Sequence, residues 1–236
     1  MSNDPATKFD PSRANEYAVQ SRIALAGYDA CHELSACMLA AAVGEGRAAR
    51  MLVVGAGGGA SEILTTGALE PDWRFVAVDP SRPMLDLAVA AVEAKGLAAR
   101  TEFHFGHVGD LPVEEPFDAA TLVGVLHHVP GDDAKRALLA GIARRLKPGA
   151  PMVLAGNRFA YRAEPLLLKA WGQRWRMHGA SPAEVEAKLG KILEGADPPA
   201  SPAVVEALLA EAGFVEPAWF FSSLFWAAVL VRRKAG

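Results

Sequence analysis

The chain has 236 residues, with 24 Lys or Arg and 27 Asp or Glu, so its formal net charge is −3. Hydrophobic residues make up 51% and charged residues 22%, which excludes global disorder, and the even charge balance argues against a general binder of nucleic acid or anionic membranes. Two cysteines are too few for a disulfide scaffold or a four-thiolate zinc site.

The sequence predicts neither a targeting signal nor a membrane span. Its first residues lack the basic start and apolar run of a secretion signal. The apolar stretch 218–231 is shorter than the ~20 residues that a membrane-spanning helix needs. We therefore expect a cytoplasmic protein that folds as a single domain over residues 1–236.

Buried strands and helices alternate along the first two thirds of the chain. A flexible arm over residues 1–14 is expected to lead into a helical N-terminal cap over residues 15–46. Short continuous apolar runs predict buried parallel strands, and helical spacing of apolar residues predicts the helices between them. The predicted strands are 51–54, 74–78, 101–105, 119–126 and 151–155. One helix is predicted from residue 61 onward, and two more over residues 81–95 and 132–146.

The last third has a different pattern. A helical insert over residues 157–200 precedes a helix from Pro202 to Gly213, and two strands, 215–220 and 224–231, follow around a turn at Ser222 and Ser223. Hairpin strands are antiparallel. The sequence thus predicts an α/β fold: a mixed, mainly parallel seven-stranded sheet with an antiparallel C-terminal hairpin and helices on both faces.

A glycine turn, Gly55–Gly59, joins the first predicted strand to a helix. Such a turn lets a ligand approach the backbone closely. Asp79 ends the next strand, 24 residues after Gly55, where a carboxylate can accept hydrogen bonds from both ribose hydroxyls of an adenosine. Gly55-x-Gly57-x-x-Ala60 also fits the dinucleotide pattern of an NAD enzyme, so the turn alone leaves two ligands open.

Gly55-x-Gly57-x-Gly59 resembles the first motif of class I S-adenosylmethionine-dependent methyltransferases. The segment 109–112 (GDLP) resembles the third motif of that family, and 117–128 and 146–150 resemble its fourth strand and the turn before its fifth. The resemblance runs from about residue 50 to 231. It implies a Rossmann-like methyltransferase fold, S-adenosyl-L-methionine as cofactor, and an acid, Asp110, that faces the adenine amino group.

Nearly the whole chain is similar to carboxy-S-adenosylmethionine synthases, which act in tRNA wobble-uridine modification. The similarity rests on residues 22–28 and 171–231. It implies that Tyr28 closes over the methionine end of the cofactor and that Val123 lines the pocket. Taken together, the two resemblances give these expected cofactor-binding residues: Tyr28, Gly55, Ala56, Gly57, Asp79, Pro80, Met84, Asp110, Leu111 and Val123.

Three positions depart from these families. Val53 stands where methyltransferases usually have an acid that helps to hold the methionine end, which leaves the cofactor's amino group to other partners. Lys188 and Lys191 are the only cations where the synthases have an arginine that grips an extra carboxylate, and a helix could turn both toward solvent. A lysine cannot make the planar two-point contact of a guanidinium, so we expect a preference for ordinary S-adenosylmethionine.

His127 and His128 end the predicted fourth strand, at the sheet edge where open α/β folds bind ligands. Either can take a proton from a substrate hydroxyl or amine. Adjacent strand residues point to opposite faces, so at most one is expected to face the methyl group, and we favour His128. The alternative is a pair of structural histidines. His104, His107 and Asp110 match no zinc pattern, so no metal is expected.

The segment 157–179 combines five cations and one acid with aromatic residues, among them Trp171 and Trp175 on one helix face. It suits an anionic or planar aromatic substrate or RNA bases, or else buries its tryptophans against the sheet or a second subunit of a homodimer. The sequence predicts an S-adenosylmethionine-dependent methyltransferase of a small molecule. Alternatives are a carboxy-S-adenosylmethionine synthase-like or RNA-modifying enzyme, an NAD-dependent oxidoreductase, and a non-catalytic cofactor-binding subunit.

Overall fold

A seven-stranded sheet crosses the protein in the computed structural model, which describes residues 19–112 and 115–235. Strands β1 to β5 run parallel to one another, β7 pairs antiparallel with β5 and β6, and the order is β3-β2-β1-β4-β5-β7-β6. This confirms the predicted mixed sheet. The strands are β1 (Arg50–Val54), β2 (Arg74–Asp79), β3 (Thr101–Phe105), β4 (Ala119–Val123), β5 (Pro151–Asn157), β6 (Phe214–Ser223) and β7 (Trp226–Arg233).

Helices cover both faces of the sheet. Successive residues of β1 alternate between two apolar cores: Leu52 packs with the helices that follow β4 and precede β6, and Val53 packs with the helices between β1 and β3 and the N-terminal helix. The helices are α1 (Tyr28–Val43), α2 (Ser61–Leu69), α3 (Arg82–Ala94), α4 (Asp132–Ala143), α5 (Pro165–Met177), α6 (Pro182–Gly195) and α7 (Pro202–Glu211). None of the helices in the described ranges has the length and apolar character to cross a bilayer.

Several predicted boundaries are wrong. β4 ends at Val123 rather than at residue 126, because Gly124 turns the backbone with φ 74° and residues 126–128 form a short 3-10 turn. The hairpin turn lies at residues 224–225, since Ser222 and Ser223 still pair with β7. α4 ends at Ala143, three residues earlier than predicted.

The predicted N-terminal cap, residues 15–46, is not one continuous helix. Residues 19–24 are helical, and Gly27 with φ 82° separates them from α1. The predicted arm, residues 1–14, and cap residues 15–18 lie outside the described residues. The break turns α1 back over the sheet, so that Tyr28 at its first position faces the glycine turn after β1.

The segment between β5 and α7 folds against this N-terminal region. Trp171 and Trp175 of α5 pack in one cluster with Ile23, Tyr161 and Phe225. The indole N–H of Trp171 donates to the carbonyl of Ala24 at 2.7 Å. The two segments together cover the carboxyl edge of the parallel strands.

Candidate active site

A cavity of about 480 Å³ lies at the carboxyl ends of β1, β4 and β5. Ligands of open α/β sheets bind at this edge, where the strand order reverses on either side of β1 and β4. Six of the predicted site residues line the cavity: Tyr28, Gly55, Gly57, Val123, His127 and His128. The other six do not: Ala56, Asp79, Pro80, Met84, Asp110 and Leu111.

Two glycines of the turn after β1 leave no room for a side chain. A Cβ on Gly55 would lie 2.2 Å from Val125 Cγ2, and Gly55 has φ 76°. A Cβ on Gly57 would lie 2.5 Å from the Cβ of Met84 and 2.8 Å from Asp79 Oδ2. The turn thus keeps its backbone open to the cavity while its other side packs tightly on Met84, which explains the predicted importance of Met84 without direct lining.

Asp79 borders the cavity through Gly57. Its Oδ2 accepts a hydrogen bond from the N–H of Gly57 at 2.9 Å, and its Oδ1 accepts one from the N–H of Ser81 at 2.8 Å. Burial raises the pKa of Asp79, and the two backbone hydrogen bonds oppose that shift. Each oxygen keeps a further lone pair, so the carboxylate can cap the turn and the helix and still accept from a ligand.

Asp110 and Leu111 lie beyond the cavity. Asp110 is exposed, and its Oδ2 accepts from the N–H of His107 at 2.8 Å, which closes the 3-10 turn 108–110. The side chain of Leu111 is in the core, and its carbonyl accepts a hydrogen bond from buried Arg145 at 2.7 Å. The adenine-facing role of this loop stays a prediction.

Both histidines line the cavity. The expectation that at most one of them faces the methyl group assumed that the strand continues through both residues. The rule of opposite faces does not apply, because β4 has already ended and the two residues lie in the 3-10 turn. Their ring centroids are 4.3 Å apart. His127 is 4% exposed and lies edge-on to Trp226 with 5.3 Å between ring centroids, and its carbonyl accepts from the N–H of Asp197.

Among the ionisable residues of the cavity, sequence reasoning missed His32 of α1 and Glu62 of α2. Burial raises the pKa of Glu62 to about 7, with a further contribution from the negative charge of Asp79. Burial lowers the pKa of His32 to about 4. An acid in the first turn of a helix usually signals the helix dipole alone, and His32 resembles a core residue, so only the three-dimensional packing identifies them.

Aromatic side chains form the far wall. The rings of Trp171 and Trp175 lie 5.3 Å apart, and the amide N–H of Asn157 donates to the Tyr161 hydroxyl at 2.6 Å. Asn157 and Trp226 are partners across the β5–β7 ladder. Within the described part of the chain, Asn157 Oδ1 and Trp226 Nε1 are buried without a hydrogen-bond partner. This wall therefore offers stacking surfaces together with one acceptor and one donor.

The cations of the insert do not form one basic surface. Lys188 and Lys191 both line the cavity, and Lys191 is also exposed to solvent, as the helix position allowed. Lys188 Nζ donates to Gln20 at 3.0 Å. Arg158 donates to Ser222, and Arg174 donates to the carbonyls of residues 22 and 23. Among the described residues there is no group of three or more His, Cys, Asp or Glu side chains that could hold a metal ion.

Comparisons with known proteins agree with this geometry. Human N-acetylserotonin methyltransferase, solved in complex with SAM, shares the fold with a TM-score of 0.66 and 14% identity over 100% of this chain and 61% of its own. Residues 51–149, which hold the glycine turn and both histidines, match the methyltransferase domain family. This part of the chain is therefore similar to methyltransferase domains.

Two curated methyltransferases are similar to part of the chain. An O-methyltransferase, rstn1, from Aspergillus nomiae is 32% identical over 110 residues, which is 46% of this chain and 47% of that protein. The cypemycin N-terminal methyltransferase of a Streptomyces species is 38% identical over 100 residues, 42% of this chain and 38% of that protein. The chain thus spans less than half the length of these relatives.

Proposed function

We propose that the protein transfers a methyl group from S-adenosylmethionine to a small molecule with a planar aromatic part. The observation that carries the proposal is one continuous cavity, which joins the glycine turn after β1 to the aromatic wall over β5. The turn fits the cofactor because Gly55 and Gly57 leave space only for backbone, and Asp79 fits a ribose because both its oxygens can accept further hydrogen bonds.

The cofactor supplies a methyl carbon activated by a sulfonium leaving group. The protein's own task is then to align the acceptor and to exclude water. Trp171 and Trp175 provide flat apolar surface for the acceptor, while Asn157 Oδ1 and Trp226 Nε1 can fix a hydrogen-bonding substituent on it.

A proton must leave when a hydroxyl or amine is methylated. The sequence favours His128 as the base, but the contacts favour His127, since it packs against Trp226 and lies beside Gly156 and the acceptor wall. We propose that His127 accepts the proton and that His128, the more exposed ring, supports it from a centroid distance of 4.3 Å.

Use of carboxy-S-adenosylmethionine is the second candidate. The position of Lys188 and Lys191 on the cavity wall supports it, because the extra carboxylate of that cofactor needs a cation. RNA modification has less support, since Arg158 and Arg174 are engaged in contacts within the protein and Trp171 and Trp175 are buried.

We also propose a homodimer in the cytoplasm. Support for the dimer comes from α5, where Leu166 and Met177 are 75% and 76% exposed. Sedimentation of the wild type and of Leu166→Glu tests it: a single monomeric species for both would refute the dimer.

The function is tested by calorimetry and by transfer. The protein should bind S-adenosylhomocysteine, and should move a labelled methyl group from S-adenosylmethionine to members of a panel of phenols and aromatic amines. NADH oxidation with a carbonyl panel, without binding of S-adenosylhomocysteine, would overturn the proposal in favour of an oxidoreductase. Binding without transfer to any acceptor class would favour a non-catalytic subunit.

A further inference from the structure

One end of the cavity carries polar groups that the proposed transfer step does not use. Glu62 and His32 are 8% and 4% exposed, and both line the cavity. Tyr28 lies beside His32, with 4.4 Å between the ring centroids, and its hydroxyl is hydrogen-bonded at 2.9 Å to that of Ser61, the residue before Glu62. We refer to Tyr28, His32 and Glu62 as the amino-acid end of the cavity.

Glu62 has no cation beside it in the described ranges, where none of the ion pairs includes it. The ionisable groups that face it are Tyr28 and Cys31 of α1 and Asp79 of β2, with His32 on the same wall. None of these supplies a positive charge near pH 7, because burial keeps His32 neutral. A buried carboxylate in such surroundings gains strongly from a cationic partner, which a ligand can supply.

His32 packs against Tyr28 but makes no hydrogen bond through its ring nitrogens within the described residues. A neutral imidazole offers one N–H donor. Among the described residues, the amino-acid end therefore presents a buried acid without a cation beside it and an imidazole without a hydrogen-bond partner, both in the lining of one cavity.

We propose that the amino-acid end binds the amino acid group of S-adenosylmethionine, with Glu62 accepting hydrogen bonds from the α-ammonium and His32 donating to the α-carboxylate. The assignment rests on the proposed function. It also provides the acid that the chain lacks at Val53, from the first turn of α2 instead of the end of β1.

Glu62 meets the ammonium rather than the sulfonium. An ammonium can donate hydrogen bonds to a carboxylate, and a sulfonium has no N–H or O–H to donate. The sulfonium also loses its charge as the methyl group leaves, so a carboxylate against it would stabilise the bound cofactor more than the transition state and slow the transfer.

Calorimetry with three ligands isolates the two contacts. S-adenosylhomocysteine has both groups, its deamino analogue keeps only the carboxylate, and 5′-methylthioadenosine has neither. Glu62→Gln removes the charge and keeps the shape. It should lower the affinity for S-adenosylhomocysteine roughly 10- to 100-fold, the range of one charge-assisted hydrogen bond. The affinities for the other two ligands should stay within about twofold of the wild-type values. His32→Phe should weaken S-adenosylhomocysteine and the deamino analogue but not 5′-methylthioadenosine.

Glu70→Gln is the matched control. Glu70 is 9% exposed at the other end of the same helix and does not line the cavity. Its substitution should change none of the three affinities. If Glu62→Gln fails to fold, the wild type decides: its affinity for S-adenosylhomocysteine should rise about 10-fold from pH 6 to pH 8 as Glu62 ionises, while the deamino analogue should show no such rise.

Each other result has a defined meaning. A wild type that binds none of the three ligands refutes the proposed function itself. A wild type that binds S-adenosylhomocysteine, with an affinity unchanged by Glu62→Gln, leaves the function intact and refutes the assignment. Equal weakening of all three ligands would make Glu62 a structural residue, and a larger loss for S-adenosylmethionine than for S-adenosylhomocysteine would place it at the sulfonium. Both refute the assignment too.

Discussion

Asp79 and Gly57 are joined by a hydrogen bond of 2.9 Å from the glycine N–H to the carboxylate, and the same carboxylate leaves no room for a Cβ on that glycine. The position of the acid and the shape of the turn therefore depend on each other. Neither the proposed ribose site nor the glycine turn can be changed without disturbing its neighbour.

Asp79→Ala should weaken the binding of S-adenosylhomocysteine. Loss of a charge-assisted hydrogen bond is worth roughly 1.5–3 kcal/mol, which is about a 10- to 150-fold lower affinity. Asp79→Asn keeps one oxygen that can accept from Gly57, so it should fall between the wild type and the alanine variant. Calorimetry on folded protein measures both, and unchanged affinity in the alanine variant would show that the ribose lies elsewhere.

Asp110 should accept from the adenine amino group. Asp110→Ala should then lower the affinity for S-adenosylhomocysteine but not for its inosine analogue, whose base has no amino group. Asp110→Asn should have a smaller effect, because its amide oxygen can still accept. A variant that weakens both ligands equally has lost the cap on His107 rather than an adenine contact.

The protein should prefer ordinary S-adenosylmethionine to the carboxylated form. Lys188 and Lys191 lie on the cavity wall, but an ammonium lacks the planar two-point geometry of a guanidinium. Competition calorimetry with both cofactors measures the preference. Tighter binding of the carboxylated form, lost on Lys188→Ala or Lys191→Ala, would reverse this prediction and make the second candidate function the leading one.

Glu62 should make the free protein less stable as pH rises. Its pKa is raised to about 7 in the folded state, so between the unfolded value near 4.5 and about 7 the folded state holds more protons. The free energy of unfolding should fall across that window by at most about 3 kcal/mol. His32, with a pKa lowered to about 4, acts in the opposite sense between about 4 and 6.5.

The difference between wild type and Glu62→Gln isolates the Glu62 effect from that of His32. Urea unfolding at pH 5 and pH 8 should show the variant gaining stability relative to the wild type at the higher pH. A constant difference at both pH values would mean that Glu62 titrates normally.

Lys135 and Asp197 connect the insert to the histidine turn. Lys135 is 1% exposed and donates to Asp197 at 2.8 Å, while the N–H of Asp197 donates to the carbonyl of His127. Asp197→Ala should lower the free energy of unfolding by about 1–3 kcal/mol, because it leaves the ammonium of Lys135 buried with only a distant contact to Asp132. Lys135→Met should cost less, since the side chain of Asp197 is 57% exposed. Thermal unfolding compares them, and the reverse order would contradict the proposed charge balance.

The sequence predicted the strands, their mixed directions and the glycine turn because each depends on local patterns: apolar runs, turn residues and one acid after a strand. It could not predict which way a helix faces. The lysines of α6 and Glu62 of α2 reach the cavity through packing against distant segments, and no periodicity encodes that rotation. The rule that adjacent strand residues point to opposite faces does not apply to the two histidines, because the turn at Gly124 ends β4 before them.

The order of the cavity residues along the chain has an evolutionary consequence. The glycine turn, Glu62 and the histidine turn all precede residue 130, while the aromatic and cationic wall comes largely from residues 157–196. Exchange of that one continuous segment between homologues would alter which acceptor is recognised without touching the residues assigned to the cofactor. Acceptor choice in such a protein can diversify by insertion, loss or grafting of a single cassette.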